Sequence, residues 1–162
     1  MSDPAASASV AFSAEPLVAA GRPRLRAEDL YHLPRHRLAE VLASGHPIDP
    51  AALAGAAYRG VSLGLPPLVE RLSWKTFQKT FLRDPSSDEL WGWNVRVEQR
   101  GLQAPSLAKQ RRGRPWTFGQ YVVRPGTEYQ PPRPIPAALM IDYGRGGNGR
   151  LGLMSRLRDP IV

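Results

Sequence analysis

The segment Leu90–Glu98 constrains the fold of this chain more than any other, because from Trp91 onward it shows the cleanest alternation of apolar and polar residues in the sequence. Such alternation, with a period of two residues, is typical of an antiparallel strand that is buried on one side. We therefore predict a strand here whose buried face carries both tryptophans of the segment. The side chains that share this face are Trp91, Trp93, Val95 and Val97.

A second strand is predicted just upstream, over Lys75–Leu82, which is rich in threonine and phenylalanine. A helix that buries Leu68 and Leu72 cannot extend to Phe81, because at about 100° per residue Phe81 falls on the opposite side. The helical period must therefore end before this strand begins. The polar turn Arg83–Glu89 follows, and the two strands are predicted to form a hairpin.

The 17 prolines and 15 glycines indicate many turns rather than long helices. Short helices are expected within residues 27–45 and after the N-cap Asp49, which Pro50 follows. The sequence predicts a mainly β protein, with α+β as the alternative: an antiparallel, curled sheet or incomplete barrel with two or three short helices. The remaining predicted strands are Ala57–Leu63, Trp116–Arg124 and Ala138–Tyr143.

A chain of 162 residues is the size of one domain. Residues 1–26, rich in Ala, Ser and Pro, are predicted to be a flexible leader, and residues 27–162 a single β domain. The leader resembles neither a secretory signal nor a membrane span. The absence of cysteine excludes disulfides and thiolate chemistry and fits a reducing compartment. We therefore expect a cytoplasmic protein.

The net charge of +8 favours anionic partners such as nucleic acid, although arginine spread over a solvated surface by the codon bias of a GC-rich bacterial gene also explains it. The segment Arg100–Arg124 contains no acidic residue, and its first part, Arg100–Pro115, is predicted to be a loop. Its sequence Arg112-Gly113-Arg114-Pro115 resembles the core of an AT-hook, and a basic hairpin loop is the simpler interpretation. The candidate nucleic-acid-binding residues are Lys109, Arg111, Arg112 and Arg114.

No motif predicts a catalytic residue, a metal site or a cofactor. The glycines at 144, 146 and 149 match a dinucleotide-binding fingerprint, but only 13 residues follow Gly149, too few for the rest of that site. Pro34 separates His32 from His36 and prevents the continuous helix that would align them on a metal. An enzyme would have to use a histidine or Asp142, which would need a partner such as arginine if buried. The sequence favours a non-enzymatic role.

The stretch from residue 56 to residue 97 resembles the opening of bacterial lipocalin-like proteins named for a Gly-x-Trp-x-Gly motif. The resemblance is carried by Tyr58-Arg59-Gly60, the predicted helix Pro67–Leu72, Trp74-Lys75 and Phe77. Tyr58 stands where tryptophan is usual, and Ala56 replaces the first glycine. The resemblance implies a calycin-type barrel with a hydrophobic cavity and no catalysis. Because a closed barrel needs about eight strands, we expect an open sheet, an edge supplied by a partner, or a chain truncated at its C-terminus.

The resulting hypothesis is a protein that binds a small apolar or weakly acidic molecule. Aromatic side chains would form the wall of the site, and a basic side chain would meet the acidic head of the ligand. Lys75 and Lys79 are expected on the same face of their strand as Phe77 and Phe81. The alternative hypothesis is nucleic-acid binding through the basic segment. The candidate ligand-binding residues are Tyr58, Arg59, Trp74, Lys75 and Trp93.

Overall fold

The computed structural model describes residues 25–63, 75–130, 139–149 and 153–162. Residues 1–24 of the predicted leader, the predicted helix Pro67–Leu72 and Trp74 lie outside the described residues. Within the described ranges, no helix is both long enough and apolar enough to cross a membrane. The helices are α1 (Ala27–Leu30), α2 (Arg35–Ala43) and α3 (Pro50–Leu53), and the strands are β1 (Ala57–Val61), β2 (Thr76–Arg83), β3 (Leu90–Arg96), β4 (Gln110–Arg111), β5 (Arg114–Pro115), β6 (Thr117–Pro125), β7 (Leu139–Asp142) and β8 (Arg158–Ile161).

Six of these strands form one antiparallel sheet in the order β1-β2-β3-β6-β7-β8, and this sheet curls into a half-barrel. Strands β4 and β5 form a separate two-stranded hairpin, inserted between β3 and β6. The structure confirms the predicted fold class and the predicted β2–β3 hairpin. It adds β8 at one edge of the sheet, where Pro160 is tolerated because an edge strand has one unpaired side.

Contacts between strands that are not neighbours identify the two faces of the sheet. Lys79 Nζ on β2 lies 3.6 Å from Asp159 Oδ2 on β8, although β3, β6 and β7 separate these strands. Side chains that start so far apart along the sheet can meet only on the inside of its curl. The face that carries Lys79 is therefore the concave face, and the other is the convex face.

The main hydrophobic core lies on the concave face, beside α3. Helix α3 begins as predicted, with the Asp49 side chain accepting a hydrogen bond from the Ala51 amide. Tyr58 on β1 holds this helix, because its hydroxyl donates to the Ala52 carbonyl at 3.0 Å. The buried members of this core are Leu53, Phe81, Leu90, Tyr121, Val123, Leu139, Ile141 and Tyr143.

The predicted buried face of β3 is confirmed at Val95 and Val97 but not at Trp91, and this face is the convex one rather than the one that meets the main core. Leu90 and Asn94 face the concave side and are buried. Trp91 and Trp93 lie together on the convex face, with ring centroids 5.2 Å apart, and Trp91 is 37% exposed. The alternation identified the strand correctly. It could not identify the core face, because part of the convex face is covered as well.

The convex cover comes from the segment 98–108, which follows β3. Arg59 on β1 points to this face, and its Nη2 donates to the Gly101 carbonyl at 3.1 Å. Val95 and Val97 are buried on the same side of β3. Two layers of buried side chains therefore flank this strand, which explains why both of its alternating sets contain buried residues.

Large aromatic side chains on the concave face lie over glycines of the neighbouring strand. Phe77 is paired with Gly60 and Tyr121 with Gly92. A Cβ atom on Gly60 would be 2.3 Å from the Phe77 ring, and one on Gly92 would be 2.8 Å from the Tyr121 hydroxyl oxygen. Both glycines provide space that any other residue would fill.

Replacing Gly92 by alanine is expected to destabilise the protein by about 3 kcal/mol or more, at the upper end of the cost of overpacking a core. The new Cβ would meet the Thr80 carbonyl oxygen at 1.9 Å as well as Tyr121. Urea denaturation measures the free energy of unfolding. The matched control is Gly149→Ala, where nothing lies within 4 Å of the new Cβ; equal stabilities of the two variants would contradict this description of the concave face.

Candidate functional site

The concave face contains a lysine that is largely but not fully buried. Lys79 occupies the middle of β2, and its side chain is 16% exposed. Strand alternation places it on the same face as Phe77 and Phe81, as predicted. Its Nζ donates at 2.6 Å to the hydroxyl of Tyr143, the residue that follows β7. The amine therefore connects β2 with the end of β7 across the concave face.

Three aromatic rings surround this amine. Lys79 Nζ lies 5.0 Å from the ring centroid of Tyr121, 5.1 Å from that of Tyr143 and 5.7 Å from that of Phe77. The faces of the Tyr121 and Phe77 rings attract a cation at these distances, by about 0.5–2 kcal/mol depending on desolvation, whereas Tyr143 meets the amine at its hydroxyl edge. The rings thus offset part of the cost of burying the ammonium group.

A hydrogen-bond network continues from the lysine to the edge of the sheet. The Tyr143 hydroxyl donates to Asp159 Oδ2 at 3.2 Å and accepts from Asn94 Nδ2 at 3.4 Å. Asn94 Nδ2 also donates to the Gly119 carbonyl at 3.2 Å. Asn94 is only 2% exposed, and its Oδ1 has no hydrogen-bond partner within the described part of the chain. The network therefore contains an unused buried acceptor, which costs about 1–3 kcal/mol.

Burial controls the protonation of this cluster. It lowers the pKa of the Lys79 ammonium below the ordinary 10.5, and the nearby Asp159 carboxylate opposes this shift. Burial also raises the pKa of Tyr143 and of Tyr121, and the negative charge of Asp159 raises both further. Both tyrosines therefore stay neutral near pH 7, and the lysine carries the proton that is lost most easily from the cluster.

A β-bulge shapes the sheet beside the cluster. The register between β3 and β6 shifts between Gly92 and Asn94, and Gly119 opposite has φ of +54°. A Cβ there would lie 2.5 Å from Met154 Cε and 3.0 Å from Asn94 Nδ2. Glycine is required at this point for both its backbone conformation and its small volume.

Asp142, the acidic residue singled out in the sequence, is buried on the convex face. Its Oδ1 is 3.0 Å from Arg158 Nε and accepts from the Gly144 amide at 2.7 Å, while Oδ2 accepts from the Tyr129 hydroxyl at 2.7 Å. Burial and the hydrogen bond to Asp142 raise the pKa of Tyr129 to about 12. Both carboxylate oxygens of Asp142 are occupied in holding the turn after β7 and the β8 edge.

A cleft of about 420 Å³ lies where β2 ends and β3 begins. Its charged side chains pair with one another: Arg83 with Asp88 at 3.0 Å, and Arg124 with Glu89 at 3.2 Å. The cleft is therefore a weaker candidate than the lysine cluster. The histidines are exposed, and among the described residues no three His, Asp or Glu side chains form a group that could hold a metal ion.

The structure distributes the predicted ligand-binding residues over two faces. Tyr58 lies on the concave face, with its ring centroid 5.8 Å from that of Phe81. Arg59 and Trp93 point to the convex face, where no contact links them to the lysine cluster within the described residues. Lys75 is half-buried just before β2, so the predicted set does not form one site.

Sequence reasoning placed Lys79 on the aromatic face of its strand but did not select it as a ligand-binding residue. Asn94 lies on β3, Asp159 on β8 and Tyr143 directly after β7, and no spacing in the sequence relates them to Lys79. The signal available in the sequence was Lys79 with a phenylalanine two residues away on each side, a spacing that places all three side chains on one face of a strand. The cross-strand partners follow only from the register of the curled sheet.

Replacing Lys79 by methionine is expected to raise the free energy of unfolding at pH 7 by about 1–2 kcal/mol, because an apolar side chain of similar length avoids desolvation of the ammonium group. The pKa of Lys79 is lowered in the folded state, so the wild type should gain stability as the pH rises from that value towards 10.5. The variant should lack this gain.

Urea denaturation across this pH range tests both expectations, with the exposed Lys109→Met as the control. A loss of more than about 1 kcal/mol in the Lys79 variant would contradict them, because it would mean that the ion pair with Asp159 stabilises the fold.

Replacing Asp142 by asparagine is expected to destabilise the protein by about 2–3 kcal/mol, because a buried carboxylate loses the charge that strengthens its hydrogen bonds to Gly144 and Tyr129 and its contact with the partly exposed Arg158. The exposed pair of Asp88 with Arg83 provides the control, since Asp88→Asn should cost less than about 1 kcal/mol and asparagine tolerates the positive φ of 58° there. The free energy of unfolding from urea denaturation distinguishes them, and similar small losses in both would contradict the structural role of Asp142.

Comparison of the chain with protein-family models, with curated proteins and with solved structures gave no match. The interpretation of the site therefore depends on its own geometry. That geometry is a largely buried amine on the concave face of a half-barrel, which lies beside the rings of Phe77 and Tyr121 and is connected by the Tyr143 hydroxyl to a carboxylate on the edge strand.

Proposed function

We propose that the concave face binds a small apolar molecule that carries a weakly acidic group, and that Lys79 provides the positive charge for this group. The observation that supports the proposal is the placement of a largely buried lysine ammonium, 16% exposed, beside aromatic rings inside the curl. Aromatic walls with a few convergent polar groups are typical of small-molecule sites. A lipocalin-like half-barrel, as suggested by the resemblance of residues 56–97, would bind its ligand on this face.

The energetics favour a functional role for Lys79 over a structural one. An apolar residue at this position would complete the aromatic core without desolvating a charge. The Asp159 carboxylate is 3.6 Å from the amine, and its side chain is 47% exposed on an edge strand, so it compensates only part of that cost. Buried ionisable groups in such surroundings are enriched at functional sites.

The ligand would bring a better acceptor to the same donors. A carboxylate oxygen near Lys79 could accept from the amine and from the Tyr143 hydroxyl, in place of Asp159. The half-buried rings of Phe77 and Phe118 lie on β2 and β6 beside this position. They would contact the apolar part of the ligand. The acidic group then determines orientation, and the apolar group supplies most of the affinity.

Binding of the acidic ligand and protonation of Lys79 should depend on each other, because the two charges would lie close together. A bound anion favours the protonated amine and should raise the pKa of Lys79 from its lowered value. Affinity should therefore decrease as the pH rises through the pKa of Lys79. The decrease should begin at a lower pH than an ordinary lysine, with pKa 10.5, would give.

Isothermal titration calorimetry with octanoate and benzoate, each compared with its uncharged amide, tests the proposal. We expect one of the acids to bind at least about tenfold more tightly than its amide, a difference of about 1.4 kcal/mol. The Lys79→Met variant should lose this preference, and the exposed Lys109→Met should retain it. Equal binding of acid and amide, unchanged binding by the Lys79 variant, or no binding of either acid would overturn the proposal.

A further inference from the structure

Part of the predicted loop Arg100–Pro115 forms a two-stranded hairpin. Strands β4 and β5 are joined by Arg112 and Gly113, whose φ angles are +54° and +74°. Positive φ at both central residues is characteristic of the type I′ turn, which matches the twist of a two-stranded ribbon. Residues 109–115 are all exposed. The hairpin therefore projects from the domain with its turn outermost.

Backbone hydrogen bonds fix both legs of the hairpin to the end of β3. The Lys109 amide donates to the Arg96 carbonyl at 2.8 Å, and the Arg96 amide donates to the Trp116 carbonyl at 2.9 Å. The Trp116 amide in turn donates to the Lys109 carbonyl at 2.8 Å. A single residue of the main sheet thus holds both legs, so the direction of the hairpin is determined by the sheet.

Side-chain stacking stiffens the base of the hairpin further. The Arg96 guanidinium carbon lies 3.9 Å from the Trp116 ring centroid, and that of Arg111 lies 5.2 Å from it. The Trp116 ring therefore contacts the guanidinium groups of both Arg96 and Arg111. Because guanidinium groups already lie against its ring, it is poorly placed to stack on unpaired bases, which is the usual role of aromatic residues in single-strand binding.

The exposed charge of the hairpin is of one sign. It contains four basic residues and no acidic one, and the segment Arg100–Arg124 likewise contains no acidic residue. None of the ion pairs found in the described ranges 25–63, 75–130, 139–149 and 153–162 uses these four side chains. The four residues are Lys109, Arg111, Arg112 and Arg114.

We propose that the hairpin 109–116 binds duplex nucleic acid, with its four basic side chains on the phosphates and its turn entering a groove. A two-stranded ribbon fits the major groove, and the planar guanidinium forks of three arginines suit phosphate oxygens. An anionic membrane surface is a poorer match, because interfacial binding also needs apolar side chains to insert. The apolar residues of the hairpin are Pro115 and Trp116, and the Trp116 ring is half-buried and in contact with guanidinium groups. This surface is separate from the lysine cluster, so either proposal can fail without the other.

Fluorescence anisotropy with a labelled 20-base-pair duplex, measured at 50 to 200 mM salt, tests the proposal. Four phosphate contacts predict a slope of log K against log salt of about −3.6, which is an affinity loss of about 150-fold over this range. Arg112→Gln with Arg114→Gln should reduce the slope to about −1.8 and the loss to about 12-fold. Glutamine leaves the strain at position 112 as it is in the wild type.

The matched control is Arg35→Gln with Arg156→Gln, which removes the same charge from exposed positions outside the hairpin. It should keep the slope of the wild type, and circular dichroism should show all three proteins folded. Equal effects of the two double variants, or no duplex binding at 50 mM salt, would overturn the proposal. Binding to vesicles of anionic phospholipid that depends on Arg112 and Arg114, without binding to the duplex, would overturn it in favour of a membrane surface.

Discussion

The packing of aromatic rings over glycines on adjacent strands is the constraint on which the concave face depends. Phe77 covers Gly60 and Tyr121 covers Gly92, and neither ring could take its position over a residue with a Cβ atom. This packing lets large side chains fill the inside of a tightly curled sheet. The same rings surround Lys79, so the surroundings of the amine follow from the packing of the core.

The lysine gives this core a charge that packing alone does not require. Its amine lies between Tyr143 and Asp159, whose strands adjoin at the far edge of the sheet. In a protein selected only for stability, an apolar residue would satisfy the same space. A sheet that keeps a desolvated ammonium group inside its curl gains the ability to recognise an anion where water is scarce, and it does so at some expense of stability.

The elements of the fold could be predicted from the sequence, because strand alternation and turn residues are local signals. The β2–β3 hairpin and α3 with its Asp49 cap are examples. The face of β3 that meets the core could not be predicted, since the convex side is covered by the segment 98–108, whose path is not encoded in any local period. The site could be predicted even less well from the sequence. The contact between Lys79 and Tyr143 depends on the registers of all the strand pairs from β2 to β7, and these registers are not local signals.

The proposal that Lys79 is a desolvated amine that receives an anionic ligand can be tested most directly by titrating the Lys79 amine itself. The side-chain resonances of Lys79, assigned in a protein labelled with ¹³C-lysine by comparison with the Lys79→Met variant, report the protonation of the amine by NMR. We expect the pKa of Lys79 to lie below the ordinary 10.5 in the free protein and to rise when a carboxylic acid that binds is added. A titration at the ordinary value that the acid leaves unchanged would contradict the proposal.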